Sequence, residues 1–299
     1  DGELLLNQRV IKIENNEFLD RKFLMNFFLT NRYHKIIKET SSGSTVKHSS
    51  NKVIQRILLI YPVIQEQQKI SDFLTQIDSK IEQLTKKKQL LESYKKGVMQ
   101  QSFSQSLRFK DDNGNFYPDW EVKKLGDFCS FYSGGTPLTT KINYYNGNIP
   151  FIKSGEIGKL KTEQFISEDG LNNSSAKIIN RGDILYALYG ATSGEVSIAN
   201  IEGAINQAVL CIKSDFNHYF IYYYLRFKKN YIVSTYIQGG QGNLSANIVK
   251  SLKINLPPLE EQTKIAKFLS QLDQKINQVE EQLSGTKYYK KGLVQKMFV

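Results

Sequence analysis

Pro118 to Lys123, PDWEVK, carries the letters of a metal-dependent nuclease site, in which an Asp and a Glu-x-Lys pair converge on a divalent cation. Convergence needs the two parts on neighbouring strands, roughly ten or more residues apart in the chain. Asp119 and Glu121 are two residues apart, so the segment reads as the entry to a strand. Asn255 to Gln262, NLPPLEEQ, has the proline pair of an Asn-Pro-Pro-aromatic amine grip. Leu256 interrupts that grip and Leu259 replaces the aromatic, while acids after proline mark a helix start. Ser133 to Lys141, SGGTPLTTK, lacks the order of a phosphate-binding G-x-x-x-x-G-K-[ST] loop. Two cysteines, Cys129 and Cys211, and three scattered histidines, His34, His48 and His218, build neither a zinc site nor a nucleophile triad. The sequence offers no active site.

Binding chemistry is better supplied. Glycine-rich turns (FYSGGTPLTT, KSGEIG, YGATSGEV, IQGGQGNLS) carry Ser133, Thr136, Ser154, Tyr189, Thr192, Ser193, Gln238, Gln241 and Asn243. The small hydroxyl and amide side chains among them let backbone amides approach phosphate, and Gln or Asn can read an adenine edge in a groove. Lys141, Lys153, Arg226 and Lys228 add cations for phosphate contacts. The competing reading is that these are turn residues placed for backbone reasons alone. A net charge of +11, spread along the chain without a polybasic tail, suits a nucleic-acid duplex and equally a lysine-rich proteome.

Those turns need a scaffold. Between residues 105 and 256 short alternating segments, such as 121–125, 176–190 and 207–212, surround a helical stretch at 216–237. The pattern predicts an α+β domain with a curved, mostly antiparallel sheet. Outside it the chain repeats itself. Shifted by 195 residues, 62–103 aligns with 257–298 without a gap, and EQQKISDFLTQIDSKI answers EQTKIAKFLSQLDQKI. Weaker echoes, NQRVIKI against NQAVLCI and 41–62 against 238–257, extend the repeat upstream.

Within each copy apolar residues step by three and four: Ile70, Leu74, Ile77, Ile81 and Leu84 in one, Ile265, Leu269, Leu272, Ile276, Val279 and Leu283 in the other. This period of about 3.5 is a coiled-coil seam. Phe73 and Phe268 widen it enough to touch a further helix. Each block predicts a helix of roughly 57 Å at about 1.5 Å per residue. A lone helix with one apolar seam is unstable in water, so the two copies are expected to bury their seams against each other in an antiparallel coiled coil.

As a set, the two repeated helices, the segment Arg108 to Pro137 (RFKDDNGNFYPDWEVKKLGDFCSFYSGGTP), IPFIKSGEI, GDILYALYGATSG and INQAVL resemble the DNA-specificity subunit of type I restriction-modification enzymes. The resemblance covers essentially the whole chain. It implies target-recognition domains that each read half of a split DNA site, held apart by the paired helices as a spacer. It also implies a non-catalytic protein whose partners are double-stranded DNA, adenine methyltransferase (modification) subunits docked on the helical region, and a motor-nuclease (restriction) subunit. S-adenosylmethionine, ATP and Mg²⁺ are then expected in the partner subunits only, with no cofactor or metal on this chain.

On this reading residues 1–61 are the C-terminal remnant of a first recognition domain, 62–104 the first spacer helix, 105–256 the second recognition domain and 257–299 the second spacer helix. The first residue is not Met, so the chain is expected to begin inside a longer one. Two cysteines and no long apolar run predict a cytoplasmic protein away from the membrane. The alternative function is a coiled-coil protein-interaction adaptor without DNA specificity.

Overall fold

A computed structural model describes residues 10–40, 51–237 and 243–298. Its helices are α1 (Arg21–Phe27), α2 (Asn31–Thr40), α3 (Asn51–Gln55), α4 (Ile64–Phe103), α5 (Glu168–Asn172), α6 (His218–Tyr236), α7 (Ala246–Ser251) and α8 (Leu259–Met297). Its strands are β1 (Glu121–Lys124), β2 (Cys129–Ser133), β3 (Ile149–Ile152), β4 (Phe165–Ile166), β5 (Lys177–Ile179), β6 (Ile184–Ala187), β7 (Val196–Ile198), β8 (Gly203–Ile205), β9 (Val209–Ser214) and β10 (Lys253–Leu256). The chain divides into two compact units, residues 1–92 with 275–299, and residues 93–274. Both long helices, α4 and α8, contribute to each.

In the first unit Leu74 and Ile77 of α4 pack with Val294 of α8, with Phe298 just beyond it, and with Phe23 and Phe27 of α1. Further along, Leu84 meets Val279 and Leu283. Lys290 Nζ reaches both oxygens of Asp78 at 2.6 and 2.7 Å, and Lys88 pairs with Glu280. In the second unit Lys95 Nζ meets Asp273 at 2.5 Å. The residue numbers of these three pairs add to the same total, so α4 and α8 run antiparallel in one register. The apolar period accounts for this, because seam residues left in water would cost the helices their main source of stability.

The second unit layers α6 on one sheet and that sheet on another. One four-stranded sheet has the order β2-β9-β6-β7, the other β4-β3-β8-β5, and β1 pairs with β10 in a separate ribbon. All pairings are antiparallel except β3 with β8. The alternation expected of strands sorts the two faces of the first sheet. Ile184, Tyr186, Leu210 and Ile212 face the helical layer with Phe220, Ile221 and Leu225 of α6. Leu185, Val209 and Cys211 face the second sheet with Ile152, Ile179 and Ile205. The mostly antiparallel sheet of the sequence reading is thus present, divided over two layers and a ribbon, with no closed barrel among the described residues. Val98 and Phe103 of the first long helix and Ile265, Leu269 and Leu272 of the second complete the helical side of this core.

Burial pushes the thiols of Cys129 and Cys211 up to about 11 each. Thiolates are scarce there at neutral pH, and the thiolate is the nucleophile. An uncharged alkylating reagent at pH 8 is expected to leave both unmodified in the folded protein and to label both in denaturant, as read by intact mass.

Gly97 and Gly292 occupy the same place in the two helix copies. Neither has a neighbouring atom within 4 Å of the point where a Cβ would stand, and neither has positive φ. A helix-interior glycine costs about 1 kcal/mol relative to alanine. Nothing among the described residues of the chain requires either one.

Candidate nucleic-acid interface and helix pair

The loops between strands bring part of the expected binding set together. Ser154, Thr192 and Arg226 line one open pocket of about 350 Å³, joined by Glu195, Ser197 and Tyr222, none of which the sequence singled out. Arg226 Nη1 donates to Tyr222 Oη at 2.7 Å, one turn back on α6, and the guanidinium lies 5.4 Å from that ring's centre. Lys229, on the same face of the helix, pairs with Glu195 across the pocket rim. The pocket therefore offers hydroxyls, one exposed guanidinium and one carboxylate already paired. Such a set can donate to phosphate or to acceptor atoms on a base edge.

Lys228 does not join it. Two residues from Arg226 is about 200° round a helix, and Lys228 instead lines a recess with Tyr231, Tyr236 and Lys253. Its ammonium lies 5.4 to 6.0 Å from the centres of the Tyr224, Phe227 and Tyr231 rings. Lys141 donates to Tyr144 Oη at 3.0 Å, and Lys153 is exposed at the start of a short 3-10 turn. Ser133 is exposed at the end of β2, while Thr136 donates to Gln207 Oε1 at 2.7 Å and so ties two loops together. Ser193 donates to the Leu188 carbonyl at 2.8 Å, a turn-building role. Asn243 is exposed beside Leu244, whose amide bonds Leu188 O at 3.0 Å next to the half-buried Tyr189. Gln238 and Gln241 lie outside the described residues.

Some glycines in these loops answer to packing. A Cβ on Gly134 would stand 1.7 Å from the Ile205 carbonyl, so the SGG turn is glycine because β8 passes against it. Gly190 and Gly194 hold φ of +81° and +84°, the left-handed region in which glycine is the default residue. Of the nuclease-like letters, Asp119 is fully exposed, and Glu121 pairs along β1 with Lys123 at 2.8 Å.

The helix copies are joined to the globular elements by a device present in both units. Gln67 is buried; its Nε2 donates to Pro62 O at 2.7 Å and its Oε1 accepts from Asp20 N at 2.8 Å. Gln262 is also buried, donating to Pro257 O at 2.8 Å and accepting from Asn217 N at 3.3 Å. Asp20 and Asn217 are the N-caps of α1 and α6, accepting from Phe23 N and Phe220 N. One buried amide in each unit thus fixes the start of a long helix to the start of a globular helix, with its polar groups satisfied as burial requires. Asp273 also accepts from Tyr223 Oη of α6 at 2.6 Å. Burial lowers the Lys95 ammonium below its ordinary value despite Asp273, and raises the Tyr223 phenol, which Asp273 raises further.

Of the expected seam, Leu74, Ile77, Leu84, Ile265, Leu269, Leu272, Val279 and Leu283 are buried, and Ile70, Ile81 and Ile276 are half-buried. The flanking phenylalanines diverge. Phe268 meets Phe109 edge-on at 5.9 Å, in the loop segment before β1, whereas Phe73 is 41% exposed. Phe268 also packs against the core cluster that includes Phe220, Ile221 and Leu225 of α6. The charged members Asp78, Lys95, Asp273 and Lys290 went without a role in the sequence reading. Their identity in both copies was the available signal.

Among the described residues no helix is long and apolar enough to cross a membrane. A family model for the type I restriction modification DNA specificity domain matches residues 1–93 and 117–284. A protein named as the MjaX type I restriction enzyme specificity subunit of Methanocaldococcus jannaschii is 29% identical over 90% of this chain and 64% of its own length. The MjaIX specificity subunit of the same organism is 26% identical over 98% of this chain and 72% of its own. This chain therefore spans about two thirds of the length of these relatives. Among solved structures, the type I restriction-modification S subunit from M. genitalium aligns with a TM-score of 0.63 at 18% identity, over 94% of this chain and 73% of that one. A chain from a structure of complex assembly and conformational transition in a type I R-M system aligns with a TM-score of 0.61 at 19% identity, over 95% and 72%. With most of its residues matched by the family model and its architecture shared with these subunits, the chain belongs to the type I restriction-modification DNA specificity family.

Proposed function

We propose that this chain is a non-catalytic DNA-reading scaffold: it binds a duplex through the loops of residues 105–256 and carries methyltransferase and motor-nuclease subunits on its paired helices. The observation that carries this reading is the repeated helix, paired antiparallel in one register and fixed in each unit to a globular helix by a buried glutamine. A scaffold of that kind sets the place of a reading surface and performs no chemistry itself. S-adenosylmethionine, ATP and Mg²⁺ belong to the partner subunits in this account, and the assembly works in the cytoplasm. Arg226, Ser154 and Thr192 are the side chains best placed to meet DNA, with Ser133, Thr136, Lys141, Lys153, Tyr189 and Asn243 on the surrounding loops.

The test is methylome sequencing of cells that express the chain with its methyltransferase. The expected result is methylated adenine in a defined sequence context. Arg226→Ala is expected to weaken duplex binding by about 1–3 kcal/mol, the range for one arginine–base contact. Binding that is indifferent to added salt would contradict the reading, since phosphate contacts make affinity fall steeply with salt.

A further inference from the structure

The recess that takes Lys228, turned round α6 from Arg226, gathers cations that the fold leaves unpaired. It measures about 320 Å³, with the buried Tyr224 as its floor and Lys228, Tyr231, Tyr236, Lys253 and Asn255 around it. Lys253 and Asn255 stand two apart on β10 and so share one face of the ribbon, while Ile254 between them is buried. Lys124 is directly opposite Lys253 in the β1–β10 register, and both are exposed. Like charges so placed destabilise a strand pair. Of the acids flanking Lys124 in sequence, Glu121 pairs with Lys123, and Asp127 accepts from the Lys124 backbone amide at 3.0 Å. Lys124, Lys228 and Lys253 join no ion pair among the described residues. Aromatic surface is left in water beside them, with Tyr231 60% and Tyr236 39% exposed.

We infer that this recess is a nucleotide site, separate from the Arg226 pocket: an unstacked base lies against Tyr231 and Tyr236, and its phosphate meets Lys228, Lys253 and Lys124. Cations tracking phosphate beside aromatic platforms for bases are the combination that holds unpaired nucleotides. An acidic peptide would answer the lysines and leave the tyrosine rings unused. A base inside a duplex has both faces covered by its neighbours and offers nothing to stack. The ligand is therefore a free nucleotide or a nucleotide of an unpaired strand.

The test follows a labelled short oligothymidylate and a labelled duplex by anisotropy on the 299-residue chain, with AMP measured by calorimetry as the free-nucleotide probe. Tyr231→Leu and Lys253→Gln are each expected to weaken nucleotide binding at least about fivefold, the lower end for one stacked base. Tyr231→Phe keeps the ring and is expected to bind as the unsubstituted chain does. Duplex affinity is expected to stay level in all three variants and to fall in Arg226→Ala, which keeps the single strand. Strand binding without AMP binding assigns the site to an unpaired strand, and AMP binding without strand binding to a free nucleotide; either supports the inference. Both substituted positions are exposed, so melting temperatures are expected to stay level, and Lys253→Gln decides alone if Tyr231→Leu lowers its own. Failure of both probes to bind, or binding indifferent to either substitution in a folded variant, would overturn the inference. Capture of an oligoaspartate with the same affinity and no dependence on Tyr231 would do so too, marking a plain anion site. Equal loss of duplex in these variants would merge the recess with the duplex-reading surface, overturning a separate site and leaving the scaffold reading in place.

Discussion

Glu261→Gln is expected to destabilise the protein by about 3–5 kcal/mol, while Glu66→Gln, the same change at the same place in the other helix copy, stays within about 0.5 kcal/mol. The Glu261 side chain is 1% exposed and meets Arg108 through two bonds, Nε to Oε1 at 2.9 Å and Nη2 to Oε2 at 3.0 Å. Trp120 Nε1 adds a third donor to Oε2 at 2.9 Å. Arg108 in turn donates to the carbonyls of Tyr117 and Pro118 at 3.0 and 2.9 Å, so the guanidinium organises the segment before β1. Exchanging the carboxylate for an amide leaves that guanidinium with 15% of its side chain exposed and no counter-charge of comparable burial. The cost of a broken buried pair is mostly this stranded charge. Glu66 is exposed and has no such arrangement among the described residues, so its loss is a surface change. Urea unfolding of the two variants side by side separates the cases. Equal midpoints would show that Arg108 does not depend on Glu261.

Phe103→Ala is expected to cost about 3–5 kcal/mol, the range for deleting a buried ring from a core that relaxes only in part. Phe103 is 4% exposed and stands 5.3 to 5.6 Å from the ring centres of Phe227, Tyr224 and Phe220. Its counterpart Phe298 plays the same part in the other unit, 4.6 Å from Phe23 and 6.5 Å from Phe27. The two rings act on separate clusters. Phe103→Ala and Phe298→Ala are therefore expected to combine additively in denaturant unfolding, within about 0.5 kcal/mol. A strongly non-additive double variant would mean that the clusters communicate.

The helix pair was legible because its information is local. Steps of three and four residues and a gapless repeat specify both the helices and the seam that must be covered. Its ion pairs were legible in principle, since Asp78 and Lys95 recur as Asp273 and Lys290, but a charge on a helix is usually solvated and the pattern alone names no partner. Strand segments were legible from alternation. The parallel pairing of β3 with β8 and the split into two layers were not, because they depend on contacts remote in sequence. The binding loops were legible as loops and not as a site. Arg226 and Lys228 look equivalent on the page, and only the helix rotation sends one to the pocket and the other to a tyrosine recess. Glu66 and Glu261 make the same point: one residue type in one repeat position is a buried anchor or a surface group, according to what covers it.

Of the three ion pairs described between α4 and α8, the central one, Lys88 with Glu280, has no twin. The repeat places Leu283 where Lys88 stands and Thr85 where Glu280 stands. Were two molecules to exchange helices, a first helix matched with another first helix would set Lys88 against Thr85, and a second with another second would set Glu280 against Leu283. Each of those associations strands a half-buried charge that the proper pairing neutralises. The Lys88–Glu280 pair is thus expected to favour first-with-second matching of the helices over self-matching of otherwise interchangeable halves, by the modest amount a partly exposed pair supplies.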